Sequence, residues 1–76
     1  MPIPVSVDAF ERGQWSPLLC AYEVTGYNDR FLRLTCGGVS EVFRRSDGKS
    51  LDGLLRIAPW ELPEIEDQIV KLEKIE

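Results

Sequence analysis

The sequence predicts a small α+β domain that is mainly β, with a five-stranded antiparallel sheet followed by one C-terminal helix. Segments with alternating or β-branched residues are confined to positions 3–58, where glycine-containing turn signals separate them. Beyond two prolines, isoleucine and leucine recur at helical spacing. The 76 residues fit a single domain over 1–76. Its own core is marginal, because a chain of this size buries only about 60% of its unfolded surface.

The first predicted strand is the alternating segment IPVSV at 3–7. Pro2 and Pro4 place it at the edge of a sheet, because proline cannot donate a hydrogen bond to a neighbouring strand. The segment that follows, 8–17, is interpreted as a loop or an irregular extended piece.

A hairpin is predicted within CAYEVTGYNDRFLRLTC at 20–36, and two registers are considered for it. A three-residue loop at 27–29 keeps the apolar residues of both strands on one face. The predicted pairs are then Val24 with Leu32, Tyr22 with Leu34, Cys20 with Cys36 and Glu23 with Arg33. The competing register is two residues longer and sets Tyr22 beside Cys36.

A second hairpin is predicted around Asp47-Gly48, the strongest hairpin signal in the sequence. It joins a strand at 39–46 to a strand at 49–58. One face then carries Val42, Leu51, Leu55 and Ile57, and the opposite face carries Phe43, Val39 and Leu54. A sheet that is apolar on both faces needs a second cover, which is a closed small barrel, a helix or a dimer interface.

The C-terminal helix is predicted over about 63–75. Its apolar stripe is formed by Ile65, Ile69, Leu72 and Ile75. Pro63 suits the first helical turn, and the acidic residues that follow it suit the positive end of the helix dipole. The stripe either covers the sheet of its own chain or docks on a partner or a second copy.

The order of five strands and one helix is similar in outline to small SH3-like and Sm-like domains. This resemblance implies a sheet that curls into a partial SH3-like barrel. It rests on the order of the elements, because no residue motif of either family is present.

The two cysteines, Cys20 and Cys36, are predicted to be reduced, mostly buried and located in neighbouring strands. The alternative is a cross-strand disulfide. The start of the sequence, MPIPVSVDAF, has no secretory signal, which favours a reducing compartment where such bonds are rare. A thioredoxin-like site is excluded by the lack of a CxxC motif, and two cysteines without histidine do not form a zinc site.

No enzyme activity, cofactor or metal is predicted. The chain has no histidine, which is the usual general acid–base at neutral pH, and no glycine-rich phosphate loop. No apolar run approaches the ~20 residues that a membrane span requires. We therefore expect a complete, soluble, cytoplasmic chain.

The net charge of −4 is unevenly distributed along the sequence. Residues 30–56 hold six cations against three acids, and residues 57–76 hold six acids against two cations. A nucleic-acid-binding face on a small β-barrel would use the basic and aromatic residues Arg30, Arg33, Arg45 and Phe31. The acidic total opposes polyanion binding, so a solvated mixed-charge face is the favoured interpretation.

The function predicted from the sequence is a small non-catalytic binding module that acts through protein–protein contacts. It would be an accessory or inhibitory protein and a homodimer. The predicted protein-binding residues are Phe43, Val39, Leu54 and Trp60. Two alternatives stay open: nucleic-acid binding through residues 30–56, and a small-molecule-binding or catalytic oligomer with its site at a subunit interface.

Overall fold

The computed structural model describes residues 2–75, which are mainly β with one helix near the C-terminal end. The strands are β1 (Ile3–Val5), β2 (Val7–Glu11), β3 (Gln14–Pro17), β4 (Tyr22–Tyr27), β5 (Phe31–Cys36), β6 (Val39–Arg44), β7 (Leu55–Ile57) and β8 (Glu73–Lys74). Helix α1 covers Leu62–Gln68, between 3₁₀ turns at Pro59–Glu61 and Ile69–Lys71. The predicted class, mainly β with a C-terminal helix, is confirmed.

The strands form two sheets, and they do not close into a barrel. The first sheet has the order β1-β4-β5-β6, and β8 pairs with β4 as its one parallel neighbour. The second has the order β3-β2-β7 and is antiparallel. The chain passes from the first sheet to the second at Ser6, between β1 and β2. The predicted strand 3–7 is therefore two strands, and the prediction of one sheet is wrong.

The segment predicted as a loop, 8–17, instead forms most of a regular β2–β3 hairpin. Arg12 and Gly13 connect the strands, and both have positive φ angles, 50° and 80°. Such two-residue turns match the twist of an antiparallel pair and favour glycine at the second position. The Arg-Gly pair was the turn signal in this part of the sequence.

The β4–β5 hairpin has neither predicted register along its whole length. Near the start of β4, Val24 lies opposite Leu34, as in the longer competing register. A bulge between Val24 and Gly26 then shifts the pairing, so that Gly26 lies opposite Arg33. The predicted pairs Val24–Leu32 and Glu23–Arg33 are wrong because the loop is longer than the three residues predicted and begins after Tyr27, which pairs with Leu32. The Asn28 side chain accepts hydrogen bonds from the backbone N–H groups of Arg30 and Phe31 in this loop.

The predicted strand 49–58 is interrupted by a turn. Ser50 pairs with Phe43, and Lys49 pairs with Arg56, so the segment bridges the two sheets. The Asp52 carboxylate accepts hydrogen bonds from the Ser50 hydroxyl and from the Leu54 backbone N–H, which closes the turn before β7 begins. At the predicted Asp47-Gly48 turn, the Arg44 backbone N–H donates to the Lys49 carbonyl, and the Arg44 carbonyl accepts from the Gly48 N–H.

One apolar core joins both sheets and the helix. It contains Ile3, Val5, Val7, Val24, Leu32, Leu34, Phe43, Ile57, Ile65, Ile69 and Leu72. The predicted burial of Ile65, Ile69 and Leu72 is confirmed, and it is their own chain that they cover. The helix is shorter than the predicted 63–75, because Leu72 is extended and β8 follows it. No helix within residues 2–75 combines the length and apolarity needed to cross a bilayer.

Candidate functional site

The four residues predicted to bind a protein do not share one surface. Phe43 is fully buried and lies opposite Leu32 in the core, so it cannot contact a partner. Replacing it would unfold the domain rather than test an interface. Val39, Leu54 and Trp60 are exposed, but they lie at the start of β6, in the turn before β7 and in the 3₁₀ turn before α1. The prediction that Phe43 belongs to a protein-binding surface is therefore wrong, because its side chain is part of the core.

Strand β6 forms an open edge of the first sheet. It is connected to β5 by the two-residue turn Gly37-Gly38, whose φ angles of 59° and 83° are the left-handed values such a turn requires. Six consecutive residue pairs, from Cys36–Val39 to Phe31–Arg44, join the two strands. No strand among residues 2–75 lies on the outer side of β6 before the bridge between Phe43 and Ser50.

The turn determines which backbone groups of β6 face solvent. In a hairpin with a two-residue loop, the pair next to the turn exchanges both hydrogen bonds, and alternate residues then point their backbone groups outwards. Val39, Glu41 and Phe43 therefore bond to β5, whereas Ser40, Val42 and Arg44 point away from it. Arg44 fits this alternation, because its outward N–H donates to the Lys49 carbonyl at 2.8 Å. The outward groups of Ser40 and the Val42 N–H have no such partner within residues 2–75.

The side chains along this open edge are exposed and of mixed character. Val39 is 64% exposed and Val42 is 41% exposed. Ser40 and Glu41 between them are also exposed. We define the β6 edge as residues 39–42. Exposed valines beside unpaired backbone groups are typical of a strand that can accept another strand.

The inner face beside the β6 edge carries Tyr22 and Cys36, and the Cys20 thiol contacts Cys36. Burial and, after it, the negative charge of Glu41 raise the pKa of Tyr22. Burial and contact with the Cys20 thiol raise the pKa of Cys36, so this thiol is protonated at neutral pH. Both cysteines are free, but Cys20 is exposed and lies outside the strands, and Cys36 is half-buried. The predicted burial is wrong for Cys20, because β4 begins two residues after it, and of the two cysteines Cys36 alone lies in a strand.

The residues of the predicted nucleic-acid face are only partly brought together. Arg30 and Phe31 line two adjoining grooves, of about 500 Å³ and 470 Å³. Arg45 lines the second groove, where its Nη2 lies 2.9 Å from Glu66 Oε1. Arg33 lines neither groove and instead bonds Glu73 at 2.7 Å. Acids of the same chain pair Arg33 and Arg45, whereas Arg30 takes part in none of the ion pairs described, so these arginines offer a polyanion less positive charge than the sequence suggests.

The structure also contains an aromatic cluster that the sequence analysis did not predict. On the outer face of the β2–β3 hairpin, the rings of Phe10 and Trp15 meet edge to face, with centroids 5.1 Å apart. The Arg56 guanidinium lies 4.6 Å from the Trp15 ring centroid. Its Nε–H donates a hydrogen bond to Asp8 Oδ2 at 3.1 Å. The alternation of VDAFE and QWSP around Arg-Gly would have placed both aromatic rings on one face.

The described part of the chain holds no group of three acidic or cysteine side chains arranged to bind a metal ion. Every buried side-chain nitrogen and oxygen in this part has a hydrogen-bond partner. The β6 edge is one of the places where the described residues leave backbone groups unpaired, and β3 forms another strand edge, in the second sheet. Comparison of the chain with protein-family models, with curated proteins and with solved structures finds no significant match to any of them.

Proposed function

We propose that this chain is a non-catalytic protein-binding module that binds an extended segment of a partner protein along the β6 edge. The observation that carries the proposal is the set of unpaired backbone groups on Ser40 and Val42, between exposed valines. A peptide that adds a strand to a sheet gains main-chain hydrogen bonds and reads alternate side chains. The expected SH3-like barrel is not part of this proposal, which needs only the edge.

The rest of the structure supports binding at this edge rather than elsewhere in the first sheet. Pro4 and β8 occupy the opposite edge, where β1 and β8 follow one another along β4. The bridge between Phe43 and Ser50 limits the β6 edge to a short segment. Three or four partner residues can therefore pair here, which fits a weak, reversible contact by an accessory protein.

Proline substitution at Ser40 tests the proposal. The Ser40 N–H points away from β5, so Ser40→Pro removes an outward donor without breaking the β5–β6 ladder. Ser40→Ala is the matched control, because it removes the hydroxyl and retains the backbone N–H. The probes are capped pentapeptides Thr-Val-X-Thr-Val, with lysine, glutamine or glutamate at X.

Binding is followed by NMR titration of the backbone amides. We expect the amides of Ser40 and Val42 to shift on addition of peptide, and Ser40→Pro to weaken binding about tenfold or more, the equivalent of one lost hydrogen bond. Ser40→Ala should bind within about twofold of the original chain. If none of the three peptides shifts these amides, or if Ser40→Pro binds as well as Ser40→Ala, the proposed function is wrong.

A further inference from the structure

Glu41 lies at the centre of the β6 edge and carries a charge that its own chain does not balance. Four ion pairs are formed by described side chains, and Glu41 takes part in none of them. Its neighbour across the ladder is the fully buried Leu34. On the same face, its negative charge contributes to the raised pKa of Tyr22. Glu41 is thus exposed, takes part in none of the ion pairs described, and lies beside the neutral side chains of Leu34 and Tyr22.

The position of Glu41 has a consequence for pairing between two copies of the chain. A symmetric antiparallel pair that uses both outward groups of Ser40 and the outward N–H of Val42 sets Ser40 of one copy opposite Val42 of the other. Glu41 then lies directly opposite Glu41 of the second copy. This is a non-hydrogen-bonded pair, in which Cα atoms are only ~4.5 Å apart. Like charges directly opposite one another destabilise a sheet.

The other symmetric registers use fewer hydrogen bonds. Centring the pair on Ser40 sets Val42 opposite Gly38, in the turn. Centring it on Val42 sets Ser40 opposite Arg44, whose backbone N–H is already bonded to Lys49. Neither register engages all the free groups of the edge. The register that does so is therefore the one in which the two carboxylates meet.

We propose that Glu41 makes the β6 edge reject a second copy of the chain and select a partner strand that presents a lysine or arginine opposite it. This inference rests on the proposed function and specifies its partner. It proposes that the homodimer expected from the sequence does not form through β6. The stem of a long cationic side chain would cover Val39 on the same face while its charge meets the carboxylate.

The residues that flank the cation in the partner follow from the alternation of the strand. They lie on the outer face, opposite Ser40 and Val42. A hydroxyl side chain suits the first position and a β-branched apolar side chain suits the second, since such cross-strand pairs stabilise antiparallel sheets. The partner segment therefore reads apolar, basic, hydroxyl in the direction antiparallel to β6.

Changing the charge of Glu41 and of the peptide residue opposite it tests whether the β6 edge selects a basic partner strand. The same pentapeptides are used, with X opposite Glu41. We expect the lysine peptide to bind on the order of tenfold more tightly than the glutamate peptide, which corresponds to one favourable and one unfavourable cross-strand charge pair. In Glu41→Lys the order of the two peptides should reverse. Glu64→Gln, an exposed charge change on α1, is the control and should keep the original order.

The second arm measures self-association by sedimentation velocity over a wide concentration range. The original chain and Glu64→Gln should show no association through β6, whereas Glu41→Gln should dimerise at high concentration. Ser40→Pro added to Glu41→Gln should abolish that dimer. If the three peptides bind equally well, the proposed function stands and this inference is wrong. It is also overturned if the original chain dimerises and Ser40→Pro makes it monomeric.

Discussion

Asp8 shows how a single charged side chain can be buried in so small a domain. It is 6% exposed and is the one charged residue among residues 2–75 that is buried, although it lies on the outer face of β2, beneath Arg56, and not in the apolar core. It lies directly opposite Arg56 across β2 and β7, and Arg56 in turn stacks on Trp15. A buried carboxylate with this partner is satisfied, whereas removal of one member leaves the other without its hydrogen bond.

We expect Asp8→Asn to lower the free energy of unfolding by about 1–3 kcal/mol, because the Arg56 guanidinium loses its charged acceptor in a partly buried setting. Glu11→Gln is the control on the same strand, since Glu11 is exposed, and it should change stability by less than about 0.5 kcal/mol. Urea denaturation measures both. Equal effects of the two substitutions would show that the Asp8–Arg56 pair does not contribute to stability.

The sequence predicts the burial of single residues where one element determines it, but not where it depends on pairing with a distant strand. The buried stripe of the helix was predictable, because its spacing requires one apolar face. The roles of Asp8 and Trp15 were not, because they depend on a pairing between β2 and β7, which are 48 residues apart at the Asp8–Arg56 contact. The exposure of Cys20 depends on where β4 begins, and propensity does not define that boundary.

At the scale of elements, the C-terminal segment is held by its apolar side chains more than by helical length. Helix α1 has seven residues, and a helix this short is not stable by itself in water. Ile65, Ile69 and Leu72 nevertheless lie in the core, across a change from helix to extended chain. Packing against the sheets therefore determines the conformation of this segment.

We expect Ile69→Ala to lower the free energy of unfolding by about 2–5 kcal/mol, the cost of removing a large aliphatic side chain from a packed core. Ile69 is 4% exposed, and its neighbour Val70 is 77% exposed. Val70→Ala is therefore the matched control and should change stability by less than about 0.5 kcal/mol. Chemical denaturation with a circular dichroism signal distinguishes them. Similar effects at both positions would contradict the packing described here.

Element boundaries differed from the predictions where side chains compete with regular structure. Asp52 accepts hydrogen bonds within its own turn and thereby breaks the predicted strand 49–58. The bulge at Thr25 changes the register of β4 and β5 after the first pairs. In contrast, the Gly37-Gly38 turn between β5 and β6 is regular, because both of its residues adopt the positive φ angles that glycine allows without strain.

At the scale of the whole molecule, two cations of the basic region 30–56 form ion pairs with acids of the C-terminal region 57–76. Arg33 bonds Glu73, and Arg45 bonds Glu66 through two of its nitrogens. The uneven charge along the chain thus reflects contacts between the first sheet and the C-terminal segment. The sequence showed the two charged regions but not their pairing, which requires the helix to lie against the β4–β6 side of the fold.

The ion pair between Arg45 and Glu66 predicts that the stability of the fold depends on pH. The hydrogen bonds from Arg45 lower the pKa of Glu66 in the folded state. Its contribution to stability is therefore complete above the ordinary glutamate pKa and is lost as the pH falls through the lowered folded-state value. With 44% of the Glu66 side chain exposed, the contribution is at most about 1 kcal/mol.

The contribution of this ion pair is measured by thermal unfolding between pH 3 and 7, with Glu66→Gln compared with the original chain. We expect Glu66→Gln to be less stable at pH 7 and the difference to shrink on acidification. Asp67→Asn, an exposed neighbour outside the ion pairs described, is the control, and its difference from the original chain should stay small. A Glu66→Gln deficit that is constant with pH would contradict the ion pair as its cause.

The arrangement around β4 also has a consequence for synthesis on the ribosome. One edge of β4 is completed by β1, near the beginning of the chain, and by β8, which follows Leu72. The core cannot close until the segment with Ile65, Ile69 and Leu72 has been translated and released. Until then, the nascent β4–β6 sheet exposes Leu32, Leu34 and Phe43 to other chains. Molecular chaperones that shield apolar surface would thus be needed most before residues 62–72 leave the ribosome, and little once α1 has docked.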